Sequence, residues 1–242
     1  MSRKVREWVE NYCYPNWSKR NRAADDSWPN QQYLNQCFLL EILVMHDSFL
    51  EALARPEPVP GGGAAAAHGA CVGLALLEKI VLVELRRSDI SSESRWQDLL
   101  EEVRRSSSTL LQLRDEDGEA YVRFAQAKTF GKSTEEILDL LKQAIESPIA
   151  IMKEAKRSLD LVARAGNHCK GHLLSDLLVV CELLRAAING THRITQANLG
   201  FMPDGSLLNS YVNELNKLQG ESRDLVKSVE GDILARMKIS KE

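Results

Sequence analysis

Aromatic residues are scarce in this chain, 6% of 242, and proline occurs only seven times. Leu, Ala, Glu and Arg dominate instead, a balance that favours helix over sheet. Charge of one sign is also lacking: 31 Lys and Arg stand against 34 Asp and Glu, a net charge of −3. That balance gives no electrostatic reason to bind nucleic acid. The five cysteines (Cys13, Cys37, Cys71, Cys169 and Cys181) show no paired spacing, which argues against a disulfide framework and for a reducing, cytoplasmic compartment. The first residues, M-S-R-K-V-R-E-W-V-E, lack the apolar core of a secretory signal. The longest apolar run, taken as Leu74 to Leu85, is broken by Glu78, Lys79 and Glu84 and falls short of the roughly 18 uncharged residues that span a bilayer, so no membrane is expected as a partner. A Walker loop, a dinucleotide fingerprint, a nucleophile elbow and an H-E-x-x-H helix are all missing.

What is present is helical periodicity, and the fold class that follows is all-α. S-T-E-E at Ser133 to Glu136 is a capping box, and from it Ile137, Leu140, Leu141, Ala144, Ile145, Ile151, Met152 and Ala155 mark one apolar face, with a kink predicted at Pro148. S-R-W-Q at Ser94 to Gln97 predicts a second helix running to about Lys128. Leu173 to Ile188 is apolar nearly all round and reads as a central buried helix. Further helices are expected at about 31–55, 62–87 and 206–238, with turns at Pro56 to Gly63, Arg87 to Ser92, Phe130 to Lys132, Gly166 to His172 and Gly200 to Gly205. Residues 1–30 differ in composition and read as an appended arm, leaving 31–242 as one helical domain.

Four features do not fit a plain bundle. P-V-P-G-G-G-A-A-A-A-H-G-A-C at 58–71 runs three glycines, Gly61 to Gly63, into a helix start. That arrangement serves either an anion held by backbone amides or close packing through small residues. Asp117 falls on the apolar stripe of its own helix, with Leu110, Leu113 and Phe124, so its carboxylate must be paired, hydrogen-bonded or functional. Asp115, about 200° away, is solvated. Glu78, Lys79 and Glu84 interrupt an apolar run; Lys79, eleven residues after His68, shares a face with it and could line a cavity, although solvation near a helix end explains the same charges. G-N-H-C-K-G-H at Gly166 to His172 does not match structural zinc spacing, so no metal is expected, and the loop reads better as a source of active-site histidine.

In order, these pieces resemble the cyclodeaminase/methenyltetrahydrofolate cyclohydrolase family. P-G-G-G-A-A-A-A at Pro60 to Ala67 matches the family's P-G-G-G-S-A-A-A, and Asp117 to Tyr121 matches D-x-x-A-F/Y. A-K-T-F-G-K-S-T-E-E, ending at Glu136, follows; then come Pro148 and Ile149, the G-N at Gly166 and Asn167, the S-D at Ser175 and Asp176, and the N-L at Asn198 and Leu199. The resemblance implies a cyclodeaminase-like helical bundle, dimeric as a homodimer or with a related protein, acting on the C–N bond of a one-carbon unit. No cofactor is required, since tetrahydrofolate would enter as substrate. Asp117, Lys132, Asp176 and Asn198 carry over from the family, and His172 joins them from the loop. The catalytic set expected is therefore Asp117, Lys132, Asp176 and His172. Gly61, Gly62, Gly63, His68, Lys79, Glu84, Tyr121 and Asn198 are expected to bind substrate.

The chain also departs from the family pattern, with Ala64 for Ser, Gly131 for Pro and Ile194 for Asn, a longer G-N to S-D loop, and charges at Lys79 and Glu84. These changes favour a recruited enzyme that closes or eliminates an amine on a small polar metabolite, aziridine formation being one such reaction. The alternatives are the family's own folate cyclohydrolase or cyclodeaminase activity, or an inactive helical partner subunit.

Overall fold

The computed structural model describes residues 49–239. The chain divides into two units, Met1–Leu50 and Glu51–Glu242, and the helices described below belong to the second. The expected arm at 1–30 and most of the expected helix at 31–55 lie outside the described residues.

Five long helices follow one another: α1 (Gly62–Leu85), α2 (Ile90–Thr129), α3 (Thr134–His168), α4 (Leu174–Leu199) and α5 (Ser206–Ile239), with a single 3-10 turn at Gly171–Leu173 before α4. No strand occurs among the described residues, in agreement with the all-α reading. Short turns make successive helices antiparallel. α1 packs on α2 and α4, α3 closes the ring against the same two, and α5 lies across α3 and α4. Leu74, Leu77, Ile80, Leu110, Ile145, Met152, Leu159, Leu174 and Leu177 fill the interior and are almost completely buried.

Local signals account for most helix ends. At α3 the Ser133 Oγ accepts from the Glu136 amide at 3.3 Å, and the Glu136 carboxylate accepts from the Ser133 amide at 3.3 Å, forming the expected capping box. α2 begins earlier than S-R-W-Q predicts. Asp89 is its cap, accepting from the Ser92 amide at 3.0 Å, and a lone Asp cap carries no Glu or Gln three residues on to announce it. α3 runs unbroken through Pro148 and on to His168, so the turn expected from Gly166 begins only at Cys169.

Two expectations about apolar helices are corrected. α4 is one-sided: Leu177, Val180, Leu184 and Ile188 are buried, while Val179, Glu182 and Ala186 are exposed. The uncharged run of the chain begins upstream of Leu74, since 58–77 contains no Asp, Glu, Lys or Arg. As a result α1 is long and apolar enough to cross a bilayer, with a mean hydropathy of 1.7, although 44% of that window is buried within the bundle. Its apolarity follows from its place between α2 and α4.

Candidate active site

α1 starts without a cap of its own. Gly61 has no side chain to offer, and no acid stands in the first turn. The nearest polar group comes from α2: the Asp117 carboxylate lies over the first turn, against Gly63 and facing the Ala64 amide. The approach is so close that a Cβ on Gly63 would stand 2.2 Å from Asp117 Oδ2, and one on Gly62 would stand 2.9 Å from the Cδ1 of Ile194 on α4. Both glycines are helical, so space and not conformational freedom requires them. Ser147 on α3 faces the same carboxylate. Its hydroxyl lies outside hydrogen-bond geometry, and the oxygen is buried without a partner. Three helices thus surround one carboxyl group that is only 9% exposed.

Burial raises the Asp117 carboxyl above its ordinary range, and the Ser147 hydroxyl and the Ala64 amide pull it only partly back. A carboxyl in this balance holds its proton more readily than a solvated one, which suits a group that must both take and return a proton. The amides of the α1 N-terminus around it favour developing negative charge.

Beyond Asp117 the same stripe of α2 continues as Tyr121, Phe124 and Lys128. Tyr121 is exposed. The Phe124 and Phe201 rings lie 5.8 Å apart at 54°, and Lys128 Nζ stands 4.5 Å from the Phe201 centroid. A carboxyl group followed by aromatic faces and a cation suits a flat, conjugated ligand. The sequence reading missed Ser147, Lys128 and Phe201. Lys128 stood inside a quoted motif, and Phe201 follows the N-L pair two residues on; Ser147 carried no signal beyond preceding Pro148.

Other expected residues stand elsewhere. Asn198 is buried and donates from Nδ2 to the Ala144 carbonyl at 2.7 Å, so its amide is engaged with the α3 backbone. Lys132 is exposed in the α2–α3 turn and pairs with Glu136 at 3.3 Å. It lies more than about 18 Å along α2 from Asp117, given 1.5 Å per residue. His68 is half-buried on α1, and Lys79 is exposed. Glu84 is 5% exposed and accepts from the Lys170 amide at 3.0 Å. Glu78, its neighbour in the interrupted run, pairs with Arg104 at 2.7 Å.

His172 and Asp176 belong to that far end too. His172 Nε2 accepts from Arg87 at 3.2 Å just past the α1 C-terminus, and Asp176 opens α4. Glu84 is 21 residues from Gly63, about 31 Å along one helix. The expected meeting of the His-bearing loop with the glycine-rich turn therefore does not occur within this chain, because α1 holds them at opposite ends. Gly61, Gly62, Gly63, Asp117 and Tyr121 are the expected residues that do come together.

The model of the formiminotransferase-cyclodeaminase family matches residues 45–217, and the chain belongs to that family. A methenyltetrahydrofolate cyclohydrolase of Methylorubrum extorquens is 26% identical over 188 residues, 73% of this chain and 89% of that protein. A formimidoyltransferase-cyclodeaminase of Gallus gallus is 27% identical over 170 residues, covering 65% of this chain and 31% of its own length. The crystal structure of a formiminotetrahydrofolate cyclodeaminase from Thermotoga maritima superposes with a TM-score of 0.70 at 19% identity, over 80% of this chain and 96% of that one. The cyclodeaminase-like helical fold is thus established. The relatives weigh for the folate alternative and against the amine-cyclising reading that the departures from the family pattern had suggested.

Proposed function

We propose that this chain is a folate enzyme that opens the methenyl bridge of methenyltetrahydrofolate with water at the Asp117 site. The observation that carries the reading is a buried, proton-retaining carboxyl group set against an otherwise uncapped, glycine-rich helix start. It stands in a chain that spans most of the length of a methenyltetrahydrofolate cyclohydrolase. Water adds to the bridging carbon while the Asp117 carboxylate takes one of its protons, the same carboxyl group returns that proton to the nitrogen as the C–N bond breaks, and the remaining hydroxyl proton leaves to solvent as the formyl C=O forms. Tyr121, Phe201 and Lys128 lie where the flat ring system would rest. The test is the disappearance of the methenyl chromophore with wild-type and Asp117→Asn protein. Wild-type turnover of about 10 s⁻¹, lowered about 10²-fold or more by the substitution, supports the reading. A folded wild type with no turnover overturns it, and release of ammonia from formiminotetrahydrofolate would move the activity to the cyclodeaminase reaction at the same site.

We also infer that the chain works as a dimer. The support is the apolar surface left open on adjoining helices, Val72 on α1 and Val179 on α4, which are 40% and 49% exposed. Light scattering at micromolar concentration is expected to give twice the chain mass, and a monomer would refute the pairing.

A further inference from the structure

A cavity of about 250 Å³ lies at the end of α1 opposite the Asp117 site. Three elements converge on it: the α1 C-terminus and its turn supply Glu84 and Arg87, the first turns of α2 supply Arg95 and Trp96, and the end of α3 supplies His168 and Lys170. Its charges are unbalanced. Arg87, Arg95 and Lys170 form no ion pair among the described residues, although basic side chains elsewhere do, as in Arg104–Glu78 at 2.7 Å and Arg164–Glu102 at 2.8 Å.

The two carboxylates that line the cavity are occupied otherwise. Glu84 accepts from the Lys170 amide at 3.0 Å. Asp89 caps α2, accepting from the Ser92 amide at 3.0 Å and from the Ser92 hydroxyl at 2.6 Å. Arg87 is oriented by its 3.2 Å bond to His172 Nε2. Arg236 supports the α3 end from outside, donating to the carbonyls of Gly166 and Cys169. Burial and then the Arg95 and Arg236 guanidiniums hold His168 below its ordinary value, so cationic charge reaches this end of the cavity.

We propose that this cavity binds the phosphate group of a small phosphate monoester, at a site separate from Asp117. Three cations, one on α2 and two in the turns that follow α1 and α3, match a tetrahedral dianion better than a planar carboxylate, and two of them are arginines, whose forked donors suit phosphate oxygens. The cavity is larger than a bare phosphate needs, and Trp96, 4% exposed, forms an apolar wall for the ester group. About 31 Å of helix separates the site from Gly63, which makes it an additional binding function and not a part of the folate cleft.

Titration calorimetry on the full chain at low ionic strength, where charge pairing is least screened, tests this. Inorganic phosphate is expected to bind saturably, one per chain, and glycerol phosphate more tightly. Arg95→Gln and Lys170→Gln should each weaken binding about tenfold, the effect of one charge-assisted contact. Asp117→Asn should leave it unchanged. Both charge substitutions fall on exposed side chains, and unchanged circular dichroism confirms that the variants fold. Any of three results would overturn the proposal: no saturation by about 10 mM phosphate, against the affinity scale of a specific site; equal affinity in the Arg95→Gln/Lys170→Gln double variant; or succinate binding as tightly as phosphate.

Discussion

Asn198 Nδ2 donates to the carbonyl of Ala144 at 2.7 Å, and the reason lies four residues further along α3, at Pro148. In a regular helix that carbonyl would accept from the amide of residue 148, which proline does not have. A side chain from α4 makes the missing bond, so helix α3 passes through its proline with no orphaned acceptor at that turn. Asn198→Ala is expected to cost about 1–3 kcal/mol, the range for a buried group left unsatisfied. In a Pro148→Ala background the restored amide reaches the same carbonyl, and the asparagine substitution should then cost at least about 1 kcal/mol less. Urea denaturation of the four proteins in this cycle measures the coupling, and additive costs would refute the account.

Gly63→Ala and Gly62→Ala form a graded pair. The first places a methyl group 2.2 Å from a carboxylate oxygen fixed between helices, and the second places one 2.9 Å from the flexible tip of Ile194. Gly63→Ala should therefore destabilise by about 2 kcal/mol or more and lower turnover by displacing Asp117, whereas Gly62→Ala should cost under about 1 kcal/mol. Thermal melts and turnover of the two variants decide the matter; equal effects would mean that the carboxylate moves aside freely.

Asp117 should lower stability at the pH where it works. Its folded pKa is raised above the unfolded value of 3.8 by burial, so the native state holds its proton more tightly than the unfolded chain does. Below 3.8 both states are protonated and the group contributes nothing. As pH rises from there through the raised folded value, stability is lost, and above it the loss stays constant. Asp117→Asn removes that ionisation. Its melting temperature should match wild type in acid and exceed it at neutral pH, while turnover falls; a variant less stable than wild type at pH 7 would show that the ionised carboxylate is a net stabiliser through its contact with Ala64.

Glu84 should be replaceable by glutamine but not by alanine. Its oxygen receives the Lys170 amide in a buried setting. Glu84→Gln keeps an acceptor, while Glu84→Ala strands the amide and should cost about 1–3 kcal/mol. Chemical denaturation distinguishes them, and similar losses in both variants would place the importance in the charge.

Asp117 was legible in the sequence because a carboxylate on an apolar stripe is a local contradiction, visible within one helix. The Ser133 capping box was legible for the same reason. What could not be read involved distant partners. How the Ala144 carbonyl is satisfied could not be read, because Asn198 is 50 residues from Pro148. Glu84 read as a substrate contact or a solvated charge, because the amide that it serves belongs to Lys170. The grouping of Asp176, from a family motif, and His172, from the longer loop, with the glycine turn treated them as one cluster, and the rigid length of α1 keeps them apart.

The glycines also determine how this chain can vary in length. Gly62, Gly63 and Gly73 on α1, and Gly190 on α4 facing Ala66, sit at positions where an added methyl group would come within 2.2–3.3 Å of a neighbour. They act as notches that key α1 axially against α2 and α4. Deleting or inserting one residue between Ala66 and Gly73 would turn half of the helix by about 100° and slide it about 1.5 Å, bringing side chains into the notches at one end or the other. Insertions and deletions are therefore expected in the turns at 86–89, 130–133, 169–173 and 200–205, leaving the spacing from Gly63 to Gly73 constant even where the identities between these notches drift.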